Sequence, residues 1–216
     1  GAIAGFLSLI AVLSNNIFLA FIWLSLAFFI DGIDGTLARK VEVKKNLPHI
    51  DGAVLDNIID YLNYVFIPAF MVYWFDLVKH EFKILAVSII LIFSCYTFSK
   101  ENLKTKDNFF RGFPAVWNIV VFYLFILNTS QTINLILIIF FSVMIFVPIK
   151  YIHPLRVQKR KKLSMVMTTL WGILSFLLLL TLGEVDLFGY SIIIFWGWVI
   201  TSFYFLLISF LRSFQK

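Results

Sequence analysis

Residues 17–40 read IFLAFIWLSLAFFIDGIDGTLARK. Positions 17–30 carry no charge and are apolar except for Ser25, then Asp31 and Asp34 enter the run before it ends at Arg39 and Lys40. A membrane-spanning helix needs about 20 mostly apolar residues, a length that 17–38 meets. The rest of the chain repeats the pattern: 61% of its 216 residues are hydrophobic and 19% aromatic, with a mean hydropathy of +0.95, whereas soluble domains are about 45–50% apolar. Apolar segments at 2–13, 17–38, 53–75, 84–99, 113–128, 131–149, 164–182 and 187–211 predict an all-α polytopic membrane bundle of about eight transmembrane helices. The first segment is too short to span alone and the numbering starts at Gly1 rather than Met, so we expect a truncated N-terminus. No basic stretch precedes that segment, so a cleavable signal is not expected.

The net charge of +6 is explained by topology rather than by nucleic acid. Sixteen of the 18 cations fall on the side that follows the second, fourth, sixth and eighth helices, whereas Lys79 and Lys83 alone lie opposite. The positive-inside rule puts the sixteen, and with an even helix count both termini, in the cytoplasm. The run Lys159-Arg160-Lys161-Lys162 reads as part of that topology signal. Cys95 stands alone within an apolar segment and supports neither a disulfide nor a thiolate metal site. No linker or low-complexity tract divides residues 1–216, which predicts a single domain.

Four acids, Asp31, Asp34, Asp56 and Asp60, lie inside or at the ends of apolar helices. Each intramembrane Asp costs roughly 2.5–3.5 kcal/mol on insertion scales, so four approach about 10 kcal/mol unless they sit near the interface. Arg39 and Lys40 are the near cations, too few to neutralise four carboxylates. Residues three, four, seven and eight apart share a helix face. Asp31, Asp34, Gly35 and Ala38 therefore form one stripe, and Gly52, Asp56 and Asp60 a second. Stripes facing one another would converge four carboxylates beside residues with almost no side chain, where a bulky ligand can come close. An all-oxygen set suits Mg²⁺ or Mn²⁺, two of which would balance the four charges. Such pairs serve phosphate chemistry, so phosphoryl transfer in a membrane is the expected reaction.

The residues Asp31-Gly32-Ile33-Asp34-Gly35-Thr36-Leu37-Ala38-Arg39 and Gly52-Ala53-Val54-Leu55-Asp56-Asn57-Ile58-Ile59-Asp60 resemble the signature of the CDP-alcohol phosphotransferase family at all eight of its fixed positions. Twelve residues separate Arg39 from Gly52, a longer spacer than most of the family has. In that respect the chain is similar to the bacterial phosphatidylcholine synthase branch, as it is in the stretch from Phe110 to Asn118 and in the Tyr151-Ile152-His153-Pro154 turn. The resemblance implies metal binding by Asp31, Asp34, Asp56 and Asp60, with Asp60 also the catalytic general base, and a CDP-lipid site shaped by Gly35, Ala38, Arg39 and Gly52. It implies CDP-diacylglycerol and choline as substrates and phosphatidylcholine and CMP as products. It further implies a bacterial inner membrane with the active site on the cytoplasmic side, and a homodimer. An aspartate of reference pKa about 3.9 is a weak base at neutral pH, so burial or metal polarisation of the alcohol must assist it.

Choline is a quaternary ammonium, the kind of group that aromatic faces hold. Tyr64, one turn beyond Asp60, with Trp117 and Asn118, are the residues expected to bind it. A phosphate-bearing acceptor, such as glycerol phosphate or inositol phosphate, would need further cations in the site. Apart from Arg39 none lies within an apolar helix, which favours a cationic or neutral alcohol, although Lys100, Lys104 and Arg111 at the cytoplasmic boundary are within reach of a phosphate. Serine, inositol and glycerol phosphate are the alternative acceptors. Intramembrane acids also suit a cation-coupled transporter, but such sites usually lie at the bilayer midplane on interrupted helices, whereas these flank a cytoplasmic loop.

Overall fold

The computed structural model describes residues 1–46, 49–100, 109–152, 161–182 and 191–213, less the side chains of Lys44 and Lys161. The chain divides into two compact units, Gly1–Phe98 with Ala115–Ile139, and Ser99–Pro114 with Phe140–Lys216.

In the first unit, α1 (Ala2–Leu13) packs against α2 (Ile17–Lys40). Ala4, Gly5, Ser8 and Ala11 on one helix and Ala20 and Ala27 on the other are buried. Such small residues let helix backbones approach closely in apolar surroundings, and Ser8 Oγ donates to Ala20 O across the contact at 2.9 Å. The connection turns on Asn15 at φ 57, a left-handed conformation that Asn tolerates. Asn16 then caps α2, its side chain accepting the Leu19 N–H at 2.8 Å.

After the short helix α3 (Val43–Asn46), Asp51 caps α4 (Gly52–Tyr61) by accepting the Ala53 and Val54 N–H groups at 2.9 and 3.2 Å. The chain stays helical to Trp74 through a π-helical turn, Leu62–Phe66, and α5 (Ile67–Trp74). In the π turn the Ile67 N–H reaches back to Leu62 O. Pro68 accounts for the widening, since it has no N–H for the carbonyl four residues earlier and its ring crowds that carbonyl. A 3₁₀ turn, His80–Phe82, leads into α6 (Lys83–Phe98); Lys83 pairs with Asp76 and lies 5.0 Å from the Tyr73 ring centroid. Helix α7 (Trp117–Ile126) completes the core of this unit, where Phe122 and Phe125 meet Phe21 edge-on. Helix α8 (Gln131–Met144) starts in the first unit and ends in the second.

The second unit holds a ribbon that the apolar pattern did not predict. Strand β1 (Phe109–Arg111) pairs antiparallel with β2 (Lys150–Ile152), Phe110 opposite Tyr151. Helix α9 (Lys161–Leu182) packs on α10 (Ser191–Ser213), and α10 also packs on β2. The outward amides of Lys150 and Ile152 donate to Ser213 Oγ and Ser209 Oγ at 2.8 and 3.0 Å. Two strand residues span about 6.6 Å and one helical turn of four residues about 6.0 Å, so the spacings match. Gly112, at φ 82, abuts the Ile145 carbonyl so closely that a Cβ has no room.

The eight predicted segments are all helical over most of their length, but two bounds move. The segment 113–128 becomes helical only at Trp117, because Pro114 holds its predecessor extended and Ala115 turns left-handed at φ 56. The segment 131–149 stops at Met144, before Pro148, and continues into β2. Tyr151 and Ile152 are therefore strand residues, while His153, Pro154, Lys159 and Arg160 lie outside the described residues. Four described helices are long and apolar enough to cross a membrane: Ile17–Lys40, His80–Phe98, Lys162–Leu182 and Ser191–Ser213. Ala2–Leu13, Trp117–Ile126 and Gln131–Met144 are apolar but shorter.

Candidate metal centre

Two helices of the first unit supply the site. Asp31 lies in the C-terminal part of α2, while Asp56 and Asp60, four residues apart, share one face of α4. One carboxylate oxygen from each of Asp31, Asp56 and Asp60 lies within 4.8 Å of the other two. Asp31 and Asp60 are half-buried and Asp56 is exposed. The oxygens around an octahedral ion with 2.0–2.1 Å bonds are about 3.0–4.2 Å apart, a spacing these side chains reach with a small contraction. An all-carboxylate donor set also fits a hard divalent cation and offers nothing soft for zinc or copper.

The fourth expected ligand is not part of this group. Asp34 follows Asp31 on α2 by three residues, roughly 4.5 Å further along the axis at 1.5 Å per residue. The structure thus converges three of the four acids. Arg39 does not bridge them: its Nη2 donates to Thr36 Oγ1 at 3.1 Å, one turn back on the exposed end of α2. Gly35 and Ala38 are half-buried on α2. Gly52, the first residue of α4, faces open space, with no atom within 4 Å of where a Cβ would stand.

The residues expected to bind choline are buried. Trp117 is 0% exposed, and its indole N–H donates to Ser94 Oγ at 2.9 Å. The indole is thus enclosed by protein and anchored to α6. Asn118 is also buried, and its Oδ1 has no hydrogen-bond partner. Tyr64 is 7% exposed, and its hydroxyl donates to Asp31 Oδ2 at 2.5 Å. The sequence places Tyr64 on the Asp60 face by spacing; its bond to a carboxylate 33 residues away is visible only in three dimensions.

Long apolar helices and a carboxylate cluster fit for a hard divalent cation define an integral membrane protein built for chemistry at a charged group. The model of one family, described as CDP-alcohol phosphatidyltransferase, matches residues 1–147. The chain belongs to that family. It is 43% identical over 179 residues to the phosphatidylcholine synthase of Pseudomonas aeruginosa, covering 83% of this chain and 75% of that one. With the phosphatidylcholine synthase of Legionella pneumophila it shares 42% identity over 196 residues, 86% of this chain and 75% of that one. The phosphatidylcholine synthase of Mesorhizobium japonicum is 44% identical over 171 residues, 79% of this chain and 64% of that longer protein.

Proposed function

We propose that this chain is a phosphatidylcholine synthase, transferring the phosphatidyl group of CDP-diacylglycerol to choline with release of CMP. The observation that carries the reading is the convergence of Asp31, Asp56 and Asp60 from two apolar helices, at positions that fit the family's motif. Relatives named phosphatidylcholine synthase, alike over most of this chain, support choline as the acceptor.

On this reading Asp31, Asp34, Asp56 and Asp60 hold two Mg²⁺ or Mn²⁺ ions, Asp34 completing the set from the next turn of α2. When bound, such ions neutralise phosphate oxygens and acidify a nearby hydroxyl. The near-absence of side chain at Gly35, Ala38 and Gly52 lets the nucleotide lie against α2 and α4, and Arg39 offers a planar donor pair to its phosphate. Asp60 takes the proton of the choline hydroxyl. The alcohol oxygen bonds to the phosphorus that carries diacylglycerol, the bond from that phosphorus to the CMP oxygen breaks, and CMP leaves with the electron pair. The unpaired Oδ1 of Asn118 is the candidate contact on the alcohol side. We place the chain as one domain of eight transmembrane helices in a bacterial inner membrane, with its site in the cytoplasmic leaflet, and homodimeric as the resemblance implies.

The test is CMP release by purified protein with CDP-diacylglycerol and Mn²⁺ or Mg²⁺, comparing choline, serine, inositol, glycerol phosphate and no alcohol. Choline-dependent release with formation of phosphatidylcholine is the expected result. Release with a different alcohol alone keeps the site and overturns the acceptor. Ion flux in liposomes without any lipid product overturns the enzyme.

A further inference from the structure

The phenol of Tyr64 is held at two points by the same helix. Its hydroxyl donates to Asp31 Oδ2 at 2.5 Å, and its ring meets Phe28 edge-on, with centroids 6.1 Å apart. Phe28 and Asp31 are three residues apart on α2 and so lie on neighbouring positions of one face. Tyr64 itself is buried between the buried Asn63 and Val65 and sits at the centre of the π turn, an irregularity often found at functional sites. The phenol therefore has little freedom to leave the carboxylate, and the carboxylate has a fixed, buried neighbour.

We propose that Tyr64 is a positioning residue of the metal centre, its hydroxyl orienting Asp31 so that a carboxylate oxygen faces Asp56 and Asp60. This rests on the reading of the three acids as a cation site. A carboxylate whose orientation is set in advance loses less freedom when a cation binds, which is why partners behind the direct ligands typically change metal affinity or activity 10–100-fold. The role is distinct from choline contact: Tyr64 acts through Asp31, and its effect is felt before any alcohol is present.

Tyr64→Phe retains the ring and removes only the hydroxyl. Mn²⁺ binding, measured on detergent-purified protein without substrate from the free-ion electron paramagnetic resonance signal, is expected to weaken about tenfold in Tyr64→Phe. Phe28→Leu, which loosens the same ring but keeps the hydroxyl, is expected to lower the thermal unfolding midpoint and leave Mn²⁺ affinity within about twofold, below the 10–100-fold range of a lost partner. Unchanged affinity in Tyr64→Phe, with wild-type protein binding Mn²⁺, overturns the positioning role and leaves the cation site standing. Equal weakening in both variants shows that packing rather than the hydrogen bond matters and also overturns it. Wild-type protein that binds neither Mn²⁺ nor Mg²⁺ overturns the cation site itself.

Discussion

Ser94 on α6 accepts the indole N–H of Trp117 at the start of α7 at 2.9 Å, inside a core where both residues are 0% exposed. An indole nitrogen in such a place must find an acceptor, and Ser94 Oγ is the one it finds. Removing the acceptor leaves a buried donor unsatisfied, which costs about 1–3 kcal/mol. Ser94→Ala is therefore expected to unfold at lower temperature in detergent while its KM for choline stays at the wild-type value. Trp117→Phe is the matching test: a raised KM for choline without loss of stability would return the indole to the ligand side of the site.

Asp31 and Asp60 are predicted to fail in different ways. Asp31→Asn removes a charge from the three-carboxylate cluster and is expected to weaken Mn²⁺ binding and turnover together, with part of the activity restored by raising the metal concentration. Asp60→Asn is expected to bind CDP-diacylglycerol but to lose turnover by about 10²–10⁴-fold, the usual contribution of a positioned general base. Binding is read with radiolabelled CDP-lipid and turnover by CMP release. Full activity in Asp60→Asn would take the proton-accepting role away from that residue.

Much of this site is legible in the sequence because its geometry is local. Asp56 and Asp60 are four apart on one helix, and helical periodicity alone puts them on one face. Asp31 joins them where α2 meets the π turn, at the contacts of Tyr64 with Asp31 and Phe28, which the sequence does not give. What the sequence leaves open is of longer range. The ribbon pairs Phe110 with Tyr151 through strands of three residues each, too short for a period-two pattern to register. The absence of Asp34 from the cluster depends on the rise of α2 relative to α4, which a face-sharing argument does not contain. The burial of Trp117 follows from its place between α6 and the π turn, and an indole at a helix start reads equally as wall or as core.

The serine ladder of α10 supplies a prediction about stability alone. Ser209 Oγ accepts the Ile152 amide at 3.0 Å and donates to Phe205 O at 2.7 Å, so one hydroxyl closes both a strand edge and a helix carbonyl. Ser209→Ala strands a buried amide and is expected to destabilise by about 1–3 kcal/mol. Ser213→Ala is expected to cost less, since the Lys150 amide it serves is only part-buried. Thermal unfolding in detergent checks both. Equal, negligible shifts would mean that water or lipid head groups replace the hydroxyls and that the ribbon does not depend on α10.

Gly52 separates the demands of substrate from those of the fold. It is the first residue of α4, its would-be Cβ meets nothing within 4 Å, and Ala within a helix is favoured over Gly by about 0.5–1 kcal/mol. Gly52→Ala is therefore expected to be as stable as the wild type or slightly more so. If the nucleotide lies against this turn, the added methyl meets the ligand instead of the protein. A misfit of about 1.4 kcal/mol lowers kcat/KM for CDP-diacylglycerol tenfold, and overpacking of a fitted contact commonly costs about 1–3 kcal/mol. The expected pattern is thus retained folding and retained Mn²⁺ binding with kcat/KM reduced about tenfold. Wild-type kinetics in Gly52→Ala would remove this turn from the nucleotide site and leave Gly35 and Ala38 on α2 as the surface against which CDP lies.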